Sequence, residues 1–343
     1  MLKLGKTHGR VEMKLSFDQL KSITFGAARI EECDEGVNFF RFTTEQEEMY
    51  KNGTRADFYK KCLSSAGISF EFDTDSENLT LGVCEAPGSS RNYFTFSIFS
   101  NNERIGELTE NFCHSCKKIA VKKYFSLGEG KKHIKIIFPW SAKSCITELC
   151  LDDGAEITPY TKSLKMLIFG DSITQGYNAV KPENSYATQL AAALDADAVN
   201  KGIGGEFFHP ELAAMRDDFE PDVITVAYGT NDWNARGKDK FLDTSRRFYE
   251  NLISLYPNAR IFALAPIWRA DHKEPRDVGS FKNVGRQFET LAAELGHITV
   301  IDCFSFVPFD PECFSDKFLH PNDLGFLHYG RNLADAIKKE LGK

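Results

Sequence analysis

From about residue 165 onward, short apolar runs alternate with helical spacings, and this alternation restricts the possible folds more than any other feature of the chain. KMLIFG (165–170), AVNKGI (198–203), DVITVAYG (222–229), RIFALAP (260–266) and TVIDCF (299–304) are largely apolar runs, as expected of strands buried on both faces. Between them Tyr186, Leu190 and Leu194 step by four, and Phe326, Gly330, Leu333, Ile337 and Leu341 trace one face of a closing helix. Five strands alternating with helices predict an α/β fold with a doubly wound parallel sheet. In such sheets the ligand crevice lies outside the carboxyl ends of the strands.

The first part of the chain has a different period. ISFEFDT (68–74) and LTLGVCE (79–85), YFTFSIFS (93–100) and RIGELTE (104–110), and AVKKYFSL (120–127) and HIKIIFPW (133–140) are strand-like pairs, each joined by a polar or glycine-rich turn. They predict hairpins of an antiparallel β-sandwich, and the 29 Phe residues, many of them in this half, favour strands. The expected division is a sandwich accessory domain over 1–160 and a second domain over 161–343, with the linker near Thr158-Pro159-Tyr160-Thr161.

A net charge of −7 argues against nucleic-acid binding, which needs a clustered basic surface. No apolar run approaches the ~20 residues that span a bilayer, so no membrane partner is expected. The N-terminal MLKLGKTHGRVEMKLSF has no signal-peptide core, which points to the cytoplasm. Nine scattered cysteines suit reduced thiols. Cys113 and Cys116 bracket His114 in a lone CxxC; a zinc site needs about four ligands at matched spacing, so no metal is expected there and the pair reads as a loop.

Four segments fall at predicted carboxyl ends of strands. Gly170-Asp171-Ser172-Ile173-Thr174-Gln175-Gly176 follows the first; by itself it fits an exposed nucleophile, a tight turn or a phosphate-binding loop. Asn200-Lys201-Gly202-Ile203-Gly204-Gly205 follows the second and offers bare backbone N–H groups to a developing oxyanion, or a plain turn. Gly229-Thr230-Asn231-Asp232-Trp233 follows the third, with Asn231 either an amide donor or a helix cap. Near the C-terminus, Pro321 biases His320 toward an extended conformation, and Asn322 or Asp323 can cap the final helix. The remaining histidines read as structural or surface groups, His209 least securely because it follows the second-strand loop.

Taken together, GDSITQG, NKGIGG, GTND and HPND resemble, in order and spacing, the blocks of the SGNH (GDSL-like) hydrolase superfamily over about residues 165–343. The resemblance implies a five-stranded flavodoxin-like sheet and a serine esterase that needs no cofactor. It implies Ser172 as nucleophile, His320 as general base, and an oxyanion hole from the N–H groups of Ser172 and Gly205 and the side chain of Asn231, with Gly204 the alternative to Gly205. The family's aspartate three residues before the histidine is replaced by Lys317; Asp316, four before, is expected to orient the imidazole in its place, a backbone carbonyl being the alternative. Asp171 is expected to hold the serine loop and to border the substrate. A β-sandwich ahead of such a domain resembles two-domain bacterial esterases that deacetylate sugars. Trp233 and Trp268 are expected to border the crevice and to stack on a sugar ring or, equally, to fill the core. The absence of a long apolar lid favours short acyl groups, with a lysophospholipase or thioesterase as the alternative. A non-catalytic carbohydrate-binding protein is disfavoured because Ser172, Asn231 and His320 are all present.

Overall fold

Five parallel strands, Leu164–Gly170, Ala196–Asn200, Val223–Ala227, Arg260–Ala265 and Ile298–Asp302, form one sheet in the spatial order second, first, third, fourth, fifth. The structure, a computed structural model, describes residues 12–113 and 117–342. All five apolar runs read from the sequence are strands of this sheet, displaced by a few residues at their ends. The strand order reverses between the first and third strands, and in sheets of this kind ligands bind in the crevice at such a reversal. Helices cover both faces. The last, Asp323–Leu341, is capped by Asn322, whose side chain accepts the Gly325 N–H, and it buries Phe326, Leu333 and Ile337.

Two antiparallel sheets precede it. One runs Arg29–Cys33, Gly36–Phe40, Ala142–Asp152, Asn78–Pro87, Ile119–Ser126; the other runs Ile157–Pro159, Ser69–Thr74, Lys132–Ile137, Tyr93–Ser100, Glu103–Asn111. The alternating Phe70 and Phe72, Phe94 and Phe96, and Ile134 and Ile136 fill the space between them. Of the three predicted hairpins only 93–100 with 103–111 forms, closed by Asn101 and Asn102 at φ 50° and 66°. Ser69–Thr74 and Asn78–Pro87 belong to opposite sheets, as do Ile119–Ser126 and Lys132–Ile137, so those turns arch across the sandwich. The expected linker begins within a strand: Ile157–Pro159 pairs with Ser69–Thr74.

The N-terminal region also contains helices Phe17–Ser22, Thr44–Asn52 and Ala56–Cys62, against the expectation of strands alone. The first two begin with capping boxes, Ser16 with Gln19 and Thr43 with Gln46. Phe42, Tyr50 and Cys62 enter the core on one face of the parallel sheet, and Ala66 and Trp140 the core on the other. Among the described residues no strand joins the parallel sheet to the sandwich, yet the two halves share apolar cores. Among the described residues, no helix is long and apolar enough to cross a membrane, and no group of His, Cys, Asp or Glu is arranged to hold a metal ion. Cys33, Cys62, Cys84, Cys145, Cys150, Cys303 and Cys313 are free, whereas Cys113 is disulfide-bonded, against the expectation of reduced thiols; His114 and Cys116 lie outside the described residues.

Candidate active site

The first strand delivers Ser172 to the start of a one-turn helix, Ser172–Gln175. Asp171 caps that turn, its Oδ1 accepting the Ile173 N–H at 3.0 Å. A Cβ at Gly170 would run into Thr174 Oγ1, and Gly176 closes the turn at φ 105°. Glycine at these two positions is therefore a steric requirement of the turn that presents Ser172.

Ser172 Oγ lies 2.9 Å from His320 Nε2, and His320 Nδ1 lies 2.7 Å from Asp316 Oδ2. The other carboxylate oxygen of Asp316 accepts the N–H groups of Phe318, Leu319 and His320 at 2.9, 2.7 and 3.1 Å. Partial burial works against the charge of Asp316. The hydrogen bonds from His320 and from these N–H groups outweigh it and hold the carboxyl far below its ordinary range. Ser315 closes the loop by donating its N–H and its hydroxyl to the His320 carbonyl at 2.8 and 3.0 Å. A hydroxyl, an imidazole and a carboxylate in line can move a proton off the hydroxyl while the carboxylate stabilises the imidazolium.

The Gly204 N–H is already bonded to Gln175 Oε1 at 2.8 Å. Among the described residues, the N–H groups of Ser172 and Gly205 have no partner, so Gly205, and not Gly204, has a free donor. Asn231 Nδ2 donates one hydrogen to the Glu206 carbonyl at 2.8 Å, which fixes the amide and leaves its second hydrogen available.

Glu206 belongs to no predicted role, yet it organises this corner. It is buried, and its carboxylate accepts Tyr50 Oη at 2.7 Å and Tyr228 Oη at 3.1 Å and lies 3.1 Å from His209 Nδ1. Burial opposes a charge on His209, but the bond to Glu206 and the charges of Glu206 and Glu211 prevail and raise its pKa. The N-terminal half grips the same loop. Arg41 Nη1 donates to the carbonyls of Asn200 and Gly202 at 2.5 and 2.9 Å, and Lys61 Nζ to that of Gly204 at 2.6 Å. The sequence signal for Glu206 was its place directly after the paired glycines; Tyr50, Arg41 and Lys61 lie in no motif.

Three predicted substrate contacts sit elsewhere. Trp233 is wholly buried with its indole N–H on the Gly279 carbonyl at 2.9 Å, and it packs on Phe281, so no ring face is open to a sugar. Trp268 is buried against Phe314 and Phe309 with its N–H on the carbonyls of Val307 and Pro308. Asp171 is buried, with no exposed edge to offer a substrate; burial raises its carboxyl to about 6, against the Ile173 N–H and the charges of His320 and Arg269.

Residues 168–326 match the GDSL-like lipase/acylhydrolase family. No curated protein matches the sequence. Among solved structures, a salicylyl-acyltransferase from a tetracycline biosynthetic pathway superposes with a TM-score of 0.82 at 18% identity, covering 98% of this chain and 99% of that one. A GDSL-like lipase from Bacteroides ovatus gives 0.75 at 20% identity over 97% and 98%. An acetyl xylan esterase from the rumen bacterium Butyrivibrio proteoclasticus gives 0.64 at 15% identity over 97% and 99%. At these identities the likeness is one of fold, and it extends over both halves of the chain.

Proposed function

We propose that this protein is a serine esterase that removes short acyl groups, acetyl foremost, from carbohydrates. Ser172 Oγ attacks the ester carbonyl as His320 Nε2 takes its proton. The bond to the sugar oxygen then breaks, and His320 returns the proton to that oxygen. Water, deprotonated by His320, attacks the acyl-serine, releases the carboxylic acid and restores Ser172. The N–H groups of Ser172 and Gly205 and Nδ2 of Asn231 donate to the oxyanion, each such donor being worth ~2.7–4 kcal/mol in the transition state. Asp316 holds Nδ1 and the imidazolium.

The observation that carries this reading is the continuous hydrogen-bonded line from Ser172 Oγ through His320 to Asp316, at 2.9 and 2.7 Å. The carbohydrate part leans on the shared fold with an acetyl xylan esterase, and the short acyl preference on the lack of an apolar lid segment. The test is kcat/KM on acetylated sugars and on p-nitrophenyl esters of increasing chain length, with Ser172→Ala as control. Acetyl should be fastest and Ser172→Ala inactive though folded. A steady rise with chain length would favour a lipase-like enzyme, and an active Ser172→Ala would remove the nucleophile.

A second reading follows from the broad superposition on an acyltransferase. The same acyl-serine can be attacked by an acceptor alcohol in place of water. Adding sugar alcohols to the p-nitrophenyl acetate reaction separates the two: transfer appears as an acetylated acceptor formed in preference to acetate.

A further inference from the structure

Next to Gly205 the surface opens into a cleft of ≈ 430 Å³, walled by Tyr50, Arg55 and Phe58 from two N-terminal helices and the turn between them, and by Glu206, Phe207 and Arg236 from the parallel-sheet half. Its distance from the reacting centre is fixed by Gly205 itself. A Cβ built there would stand 3.8 Å from Phe58 Cε1 and 3.9 Å from Arg55 Nη2. The Arg55 guanidinium therefore lies within one side chain's reach of the backbone N–H assigned above to the oxyanion. The 3.8 and 3.9 Å separations are ordinary van der Waals contacts, and it is the backbone at φ 85° that favours glycine at 205.

Both arginines are held in place before any ligand arrives. Arg55 stacks on the Phe58 ring at 4.0 Å, with Nε and Nη2 on the Asp57 carboxylate at 3.1 and 3.0 Å. Arg236 stacks on the Phe207 ring at 4.5 Å, with Nη1 on the Phe208 carbonyl and Thr244 Oγ1 at 3.1 and 3.0 Å. Among the described residues, Arg55 Nη1 and Arg236 Nη2 have no hydrogen-bond partner. Arg55, Lys61 and Arg236 stand at this corner with Asp57 and Glu206, and His209 lies between Glu206 and Glu211, at 3.1 and 3.7 Å. Asp232, 3.5 Å from Arg236, is wholly enclosed. A neutral sugar can offer these guanidinium edges only hydroxyl oxygens, whereas a carboxylate adds opposite charge and a bidentate match to their donor geometry, and finds little conformational freedom left to freeze.

We propose that this cleft selects esters carrying a carboxylate, with Arg55 and Arg236 as the groups that bind it. The proposal rests on the esterase reading for the position of the reacting carbonyl. The carboxylate can belong to the alcohol, as in an acetylated uronic acid, or to the acyl group, as in a hemisuccinate.

Two substrate pairs distinguish these sources: O-acetylated methyl glucuronate against O-acetylated methyl glucoside, and p-nitrophenyl hemisuccinate against p-nitrophenyl acetate. In one pair the carboxylated member should have the higher kcat/KM, by tenfold or more at low ionic strength, and the ratio should shrink with added salt. Arg55→Gln and Arg236→Gln should each bring that ratio back toward one. Equal rates within both pairs, or a ratio indifferent to both substitutions, would overturn the proposal. Calorimetric titration of Ser172→Ala protein with methyl glucuronate, methyl glucoside and succinate reads the cleft without turnover. If no ester is hydrolysed but a carboxylate binds and Arg55→Gln abolishes the binding, the esterase reading fails and the cleft assignment stands. Absence of carboxylate binding rejects the cleft.

Discussion

Lys317 adopts the left-handed conformation at φ 57°, and through that one residue an aspartate four positions before His320 reaches its imidazole. The turn folds Asp316 back under the loop, so one carboxylate oxygen ties three backbone N–H groups while the other meets Nδ1. Asp316→Asn keeps the shape but removes the charge and lets the amide favour the wrong tautomer. It should lower kcat by roughly two to four orders of magnitude with the fold retained by circular dichroism; a loss of only a few-fold would mean that the loop backbone alone orients His320. Asp232 gives a prediction of the opposite electrostatic sign. It is wholly buried, and burial pushes its carboxyl up to about 7 despite Arg236 and the Phe208 N–H. Unfolded, it titrates near 3.8, so between the two values the native state binds a proton that the unfolded chain has released. Stability from this group therefore falls as pH rises from about 4 to about 7, by at most about 4 kcal/mol, and is level above. Asp232→Asn removes that dependence. Urea unfolding at pH 4.5 and pH 8 should show the variant gaining on the wild type at the higher pH, and an unchanged difference would mean that Asp232 stays ionised throughout.

At the scale of elements, the proposed mechanism asks most rigidity of the loop after the second parallel strand, and Glu206 is the anchor of that loop. The Glu206 carbonyl holds Asn231, and its carboxylate gathers Tyr50, Tyr228 and His209, so the donors at Gly205 and Asn231 move together or not at all. Glu206→Gln should lower kcat about ten- to a hundred-fold while KM changes little, because donors displaced from an oxyanion lose more in the transition state than in the ground state. Tyr50→Phe, removing one bond of the set, should cost less; a rise in KM at constant kcat would instead make Glu206 a substrate contact. Much of this edge was legible beforehand. The motifs sit at strand ends because buried parallel strands are short apolar runs with abrupt polar ends, and Gly170, Asn200 and Ala227 are where those runs stop. The sandwich pairing was not legible, since Asp75 to Asn78 look like a hairpin turn whether the chain turns back within a sheet or arches to the opposite one. For Trp233 and Trp268 the sequence leaves crevice and core equally open for a related reason: adjacency to a motif fixes the backbone's location but not which way a loop side chain points, and here the carbonyls of Gly279, Val307 and Pro308 draw both indoles into the core. The capping boxes at Ser16 and Thr43 were signals of helix present in the sequence but outweighed by the strand pattern around them.

At the scale of the whole molecule, the sandwich region is tied to the parallel-sheet half by buried hydrogen bonds and shared cores, and Arg41 is the clearest case. Its guanidinium is completely buried and donates to the carbonyls of Ser64, Asn200, Gly202 and Lys61 and to Ser64 Oγ, at 2.5 to 2.9 Å. Five donor hydrogens meet five acceptors, two of them in the loop that leads to Gly205. Burial lowers its pKa to about 10, which still leaves it charged at neutral pH. The Tyr50, Cys62 and Trp140 side chains, inserted into the cores on the two faces of the parallel sheet, add apolar burial across the same junction. Two halves joined in this way should unfold together, so calorimetry of the wild type should show one transition with matching calorimetric and van't Hoff enthalpies. Arg41→Lys retains the charge but has three donors for five acceptors, each unsatisfied buried carbonyl costing about 1–3 kcal/mol. The variant should melt several degrees lower and lose kcat with KM nearly unchanged, because the residue touches the oxyanion loop and not the substrate. Two resolved transitions in the wild type, or an Arg41→Lys protein with full activity and an unaltered Tm, would mean that the sandwich and the parallel sheet are stable independently and that the loop holds its shape without the arginine.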